Sequence, residues 1–344
     1  MRPLVVLLAA SLLTAANAQT LDGPESVEYD PVGDRYFISN TGSGQILQRD
    51  QAGVLTTFAS SSPAPYGLEI MGDTLFACCG GRVKGFLLVD GAEVFNLNLG
   101  GSFLNGITTD GTYLYVTDFS AKKILKIDVA DNSFTELVAN TVNTPNGIVF
   151  DPTLLRLWVA GWGSNALIKS YDPGNGEQLS SFTTNVGSID GITLDCNGDL
   201  LVASWSPNRV TRYESSFTQP AVTVLSSGLS SPADIDYDGV NQRVCIPNSG
   251  NDSVTLFDYT ACSVDVPELS RDVVPVGPNP TDGLLRFGRT LPAGSRYQVL
   301  DLAGAIVATG PVSGGRTVDV SALAPGTYVL DVPTAGLRMR FVRQ

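Results

Sequence analysis

Between residues 24 and 257 short runs of alternating apolar and polar positions are separated by turn dipeptides, and the arrangement recurs. In the third recurrence Gly106–Thr109 reads as a short strand, Asp110-Gly111 as a turn, and Tyr113–Asp118 as a second, alternating strand. Ala121-Lys122-Lys123 leads into Ile124–Asp128, and a last strand falls near Phe134–Val138. The first recurrence scans the same way, through Val27–Tyr29, Arg35–Asn40, Gln45–Gln48 and Val54–Phe58. Period-two alternation bounded by Asp-Gly or Asn-Gly is the strongest local hairpin signal. Each unit opens on a related phrase: Glu25-Ser26-Val27, Tyr66-Gly67-Leu68, Asn105-Gly106-Ile107, Asn146-Gly147-Ile148, Asp190-Gly191-Ile192 and Ala233-Asp234-Ile235. The second residues of these phrases are 41, 39, 41, 44 and 43 positions apart, the period of a propeller blade. Six repeats of four strands predict an all-β chain with a six-bladed β-propeller over residues 19–262. The sixth blade is clear through Val254–Phe257, and its fourth strand comes either from Ser263–Val266 or from Gln19–Leu21.

In a propeller the start of each first strand and the end of each second strand lie on one face. The mouth is therefore expected to carry Glu25, Tyr66, Asn105, Asn146, Asp190 and Asp234, with a second set near Asn40, Cys79, Asp118, Trp162, Ser204 and Asn248. Most of these are small and polar, as a ligand or ion mouth requires. Trp162 and Trp205 fall near the mouth, where they can stack on a substrate ring, whereas Trp158 reads as core.

Beyond Cys262 the period breaks. Residues 263–272 read as a linker, and five or more short strands in residues 273–344 predict a small antiparallel β-sandwich. At the other end Arg2, the apolar run Leu4–Leu13 and Ala16-Asn17-Ala18 read as a signal peptide over residues 1–18. No later stretch approaches the roughly 20 apolar residues of a membrane helix, so no transmembrane segment is expected.

Charge narrows the partners. Seven Arg against four Asp put +3 on residues 273–344, which with Arg2 leaves −17 on residues 19–272. So acidic a body repels phosphate backbones and favours cations, which argues against nucleic acid. There is no His and no Cys-x-x-Cys pair, so zinc is disfavoured. The five cysteines read as small buried hydrophobes with one optional bridge, for which Cys245 and Cys262 are the candidates.

Two resemblances follow from these motifs. Residues 273–344 resemble the C-terminal sorting domain of type IX secretion substrates of the Bacteroidetes. The match rests on Pro278-Asn279-Pro280 with Gly283, on Val299-Leu300-Asp301-Leu302-Ala303-Gly304, and on Val320–Tyr328. Arg338, Arg340 and Arg343 stand where Lys is commoner. This resemblance implies recognition by the type IX machinery and a secreted or outer-surface location, either released or anchored.

The repeats resemble the senescence-marker-protein and gluconolactonase propellers, which are NHL-like. There one divalent ion sits at the channel top on a Glu of the first blade, Asn of the third and fourth, and Asp of the fifth. Glu25, Asn105, Asn146 and Asp190 fall on those blades in that order. Two carboxylates and two amide oxygens are hard donors, favouring Ca²⁺, with Mg²⁺ or Mn²⁺ as alternatives. Such an ion polarises an ester carbonyl and acidifies bound water, with Asp190 or Asp118 as base. Asn105 is either the fourth ligand or a substrate contact. Asn-Gly and Asp-Gly are also turn formers, but turn chemistry explains neither Glu25 after Pro24 nor Tyr66 in the second blade. The expectation is a metal-dependent hydrolase of a lactone or ester. The alternative is a non-catalytic propeller that binds a glycan, peptide or surface protein.

Overall fold

The computed structural model describes residues 19–262, 276–301, 305–335 and 337–344. The expected signal peptide and linker lie outside these. The chain divides into two compact units between Ser263 and Val264.

Strong turn residues between β-rich runs give the first unit six antiparallel sheets in sequence order. Blade one holds β1 (Pro24–Asp30), β2 (Arg35–Asn40), β3 (Gln45–Asp50) and β4 (Leu55–Ser60). Blade two holds β5 (Pro65–Met71), β6 (Thr74–Cys79), β7 (Arg82–Leu87) and β8 (Glu93–Asn98). Blade three holds β9 (Leu104–Thr109), β10 (Tyr113–Asp118), β11 (Lys123–Asp128) and β12 (Ser133–Val138). Blade four holds β13 (Pro145–Asp151), β14 (Arg156–Gly161), β15 (Leu167–Tyr171) and β16 (Gln178–Thr183). Blade five holds β17 (Gly187–Leu194), β18 (Leu200–Ser206), β19 (Asn208–Tyr213) and β20 (Val222–Leu225). Blade six holds β21 (Asp236–Asp238), β22 (Arg243–Asn248) and β23 (Ser253–Asp258).

Among the described residues the sixth sheet has three strands. Gln19–Leu21 is not a strand, and Ser263–Val266 lies outside the described residues. The ring closes instead between inner strands. Asp234 N–H donates to the Glu25 carbonyl at 2.8 Å, and Val27 N–H to the Asp234 carbonyl at 3.3 Å.

Apolar side chains of neighbouring blades fill the spaces between sheets. Leu201, Val210, Ile235 and Ile246 join blades five and six, and Phe37, Ile46, Leu68 and Leu75 join blades one and two. Strand alternation sends the adjacent Cys78 and Cys79 into different inter-blade cores. The expected Cys245 bridge is corrected: Cys245 is free and packs against Val27, Tyr36 and Ile38, while Cys196 is the disulfide-bonded residue.

The second unit is a sandwich of seven short strands. One sheet pairs β24 (Val276–Gly277), β25 (Leu284–Phe287) and, further along, β28 (Thr317–Asp319). The other orders β27 (Ile306–Pro311), β26 (Arg296–Leu300), β29 (Gly326–Val332) and β30 (Leu337–Arg343). Leu285, Phe287, Val299, Val318, Leu330 and Phe341 form its core.

Candidate functional site

The inner strands of blades one to five carry the same irregularity, and it coincides with the repeated phrase. In β1 the ladder to β2 pairs Pro24 with Asn40 and then Val27 with Ile38, so Glu25 and Ser26 oppose one residue. The same two-against-one count recurs at Tyr66-Gly67, Asn105-Gly106, Asn146-Gly147 and Asp190-Gly191. These are β-bulges, which bend a strand and re-aim its side chains. The phrase is therefore not a turn before the inner strand; it lies inside the strand, and its glycines have no left-handed φ.

Close approach explains those glycines. A Cβ on Gly106 would sit 2.6 Å from the Asn146 carbonyl oxygen, and one on Gly147 2.7 Å from that of Asp190. Only a residue without a side chain lets the bulge of one blade meet the next. Side-chain oxygens satisfy the amides that the bulges leave without ladder partners. Thr117 Oγ1 accepts from Gly106 N–H at 2.9 Å and donates to the Asn146 carbonyl at 2.7 Å. In blade one Ser39 Oγ accepts from Ser26 N–H at 2.9 Å. Ser26, standing where blades two to five have Gly, donates its hydroxyl to Asp234 at 2.9 Å. Ala233 occupies the sixth first-position, and Asp234 is one residue further along than the sequence placed it.

Six carboxylates converge on the channel from four adjacent blades: Asp190, Asp234, Asp236, Glu25, Glu28 and Glu69. Burial, reinforced by the charge of Asp234, pushes Glu25 up to about 7. Burial likewise lifts Asp234 to about 8, against the Ser26 hydrogen bond, with Asp190 and Asp236 adding repulsion. Asp190 is raised by burial and by Glu25, which outweigh the donors Asn146 and Trp205. Glu28 and Glu69 are raised by burial and by Asp236. None of the six joins an ion pair among the described residues. Glu28, Glu69 and Asp236 were missed in the sequence, although each follows the phrase as an acid in an apolar run. Two of them also latch blades: Glu28 accepts from Ile70 N–H at 3.1 Å, and Asp236 from Tyr29 N–H at 2.9 Å.

The sequence-derived metal set is partly assembled. Asn146 Nδ2 donates to Asp190 Oδ1 at 2.7 Å, and Glu25 is close enough to raise Asp190. Asn105 is buried at the homologous bulge position of the third blade. Asn146 Oδ1 is buried with no hydrogen-bond partner, an amide oxygen left for a donor or a cation. Among the described residues no three Asp, Glu, Cys or His side chains form a ready metal cluster. A cation here must draw on amide oxygens, which the Glu25, Asn105, Asn146 and Asp190 set supplies.

Asp118, the other candidate base, is held by the backbone around it. Its carboxylate accepts from Ser102 N–H at 2.7 Å, Ala121 N–H at 2.9 Å and Phe103 N–H at 3.1 Å, tying down the loops around β9 and β10. Asn40, Ser204 and Asn248 likewise bind neighbouring backbone. That second set supports loops, and Gly161 rather than Trp162 stands in its register.

Aromatic rings complete the rim. Tyr66, Phe103, Phe119, Trp162 and Trp205 run edge-to-face in a continuous arc, with successive centroids 4.8, 5.6, 5.9 and 5.0 Å apart. Trp158 is buried in the core, as expected.

No family model matches the chain, and no curated protein does. Solved structures share its fold. A streptogramin B lyase aligns at 16% identity over 79% of this chain and 92% of its own, with a TM-score of 0.55. A virginiamycin B lyase from Staphylococcus aureus, solved as a catalytically inactive variant with quinupristin, aligns at 20% identity over 70% and 81%, TM-score 0.52. The WD40 propeller domain of Doa1 aligns at 14% identity over 67% and 77%, TM-score 0.54. At these identities the likeness is one of fold: the chain is an all-β protein whose first unit is a β-propeller.

Proposed function

We propose that the channel mouth binds one divalent cation, Ca²⁺ ahead of Mg²⁺ or Mn²⁺, and that the protein is a hydrolase of a lactone or ester. The observation that carries this reading is the partnerless Asn146 Oδ1, buried on a side chain that donates to Asp190, whose carboxyl lies in the field of Glu25. An unpaired buried acceptor costs about 1–3 kcal/mol, and crowded carboxylates cost more, so the arrangement is a liability unless a cation resolves it. Glu25, Asn146 and Asp190 would hold the ion, with Asn105 as fourth donor. When bound, it supplies Lewis acidity toward an ester carbonyl. Asp190 is the preferred proton acceptor, because the Asp118 carboxylate already accepts three backbone N–H groups around β9 and β10.

The inactive virginiamycin B lyase neighbour carries a His-to-Ala replacement, and this chain has no His, so chemistry that needs an imidazole is not open to it. A panel of lactones and aryl esters, assayed with Ca²⁺ and with chelator, tests the reading. Turnover that chelator abolishes and Ca²⁺ restores, and that Asp190→Asn removes, is expected. Calcium binding without turnover would instead favour the non-catalytic binding propeller.

A further inference from the structure

The five-ring arc has no structural need to be open. Tyr66, Phe103, Phe119 and Trp162 are each half-buried, and Trp205 is 37% exposed, at the edge of an acidic channel. Elsewhere in the propeller, Arg or Lys lies over aromatic rings: Arg35 over Phe37 and Phe58, Lys126 over Tyr113 and Tyr115, Arg156 over Trp158. No such pair falls on the arc among the described residues. Both of its ends reach carboxylates. Tyr66 lies in the field of Glu25, and the Trp205 indole lies beside Asp190 while donating to the Pro232 carbonyl at 3.1 Å. The positions equivalent to Trp162 and Trp205 at the ends of β2 and β22 are Thr41 and Ser249, so the rim is aromatic on one side and polar on the other.

Charge selects the occupant. The mouth holds more carboxyl groups, Glu25, Asp190 and Asp234, than one divalent ion needs, and the surplus is able to pair with an organic cation. Aromatic faces attract cations most where water is partly excluded. We propose that the arc receives a ligand in which an apolar ring carries an alkylammonium group, the ring lying along Phe119, Trp162 and Trp205 and the cation held between the ring faces and the carboxylates. Anionic esters and sugar phosphates are repelled by the same field. This deepens the proposed function, since an ester substrate would carry that group in its acyl or leaving part. The binding claim itself does not need the ester.

Titration calorimetry of the full chain with benzyltrimethylammonium, tetramethylammonium and benzyl alcohol separates ring from charge, and each titration is run with Ca²⁺ and with chelator. The ring-bearing cation is expected to bind at least about tenfold more tightly than either fragment, and Trp162→Ala or Trp205→Ala to weaken it about five- to tenfold. Trp162→Phe keeps an aromatic face and should recover most of the loss. Equal binding of benzyl alcohol, or binding undiminished in both alanine variants, overturns the inference. The comparison of probes on unmodified protein decides it even if a variant fails to fold. Probe binding without any Ca²⁺ binding would sink the metal reading alone, and Ca²⁺ binding without probe binding would sink this one alone.

Discussion

Glu25 is the residue at which function and stability part company. Its carboxyl is buried near Asp234 and Asp190 and joins no ion pair among the described residues. Raised carboxyl pKa values mean that the folded protein retains protons the unfolded chain has released. Their contribution to stability is fully present below the unfolded values, 4.5 for Glu25 and 3.8 for Asp234, and is lost as pH rises through about 7 and 8. Metal-free protein is therefore expected to melt at progressively lower temperature between pH 5 and pH 8. Glu25→Gln should flatten part of that slope and raise the melting temperature at pH 8, as expected of a residue kept for binding rather than for folding. Thermal unfolding in chelator checks this; a melting temperature unchanged or rising with pH would contradict it. Asn146 belongs to the same class, with one amide group spent on Asp190 and the other idle.

At the scale of the element, the recurring bulge is what turns an ordinary inner strand into part of a site. It places two residues where the ladder has room for one, and in blades two to five the glycine at its second position lets neighbouring blades touch. Gly147→Ala would press a methyl against the Asp190 backbone, which cannot swing aside, so a loss of about 1–3 kcal/mol is expected. Denaturant unfolding measures it, and a neutral effect would mean the inner ring is looser than its packing implies. Strand positions were legible to within a residue or two, because Asp110-Gly111 and its counterparts break the alternation sharply. The bulge was not, because Asn-Gly and Asp-Gly read as turns when the partner strand is unknown. The loop contacts of Asp118 were hidden for the same reason: one Asp at a strand end looks alike whether it caps a loop or serves a substrate. Glu28, Glu69 and Asp236 stayed hidden because, without the ring, nothing in the sequence brings three distant acids to one channel. The arc of rings was half visible in Trp162 and Trp205, whereas Phe103 and Phe119 sit in loops whose course only the fold sets.

At the scale of the molecule, an acidic propeller is followed by a separate sandwich with the opposite charge balance. No described helix is long and apolar enough to cross a membrane. The proposal that the second unit is an export address predicts that removing residues 273–344 traps the propeller in the periplasm, read by cell fractionation; unchanged export would refute it. The channel carboxyls fall on blades five, six, one and two, and the neutral Asn105 and Asn146 of the proposed cation set stand on blades three and four. The most direct test is calorimetric titration of Ca²⁺ into the wild-type chain and into Glu25→Gln. Saturable one-site binding in the first, weakened at least about a hundredfold in the second, is the predicted result. Absence of binding in both, or equal binding in both, would contradict the assignment of the channel mouth as a cation site.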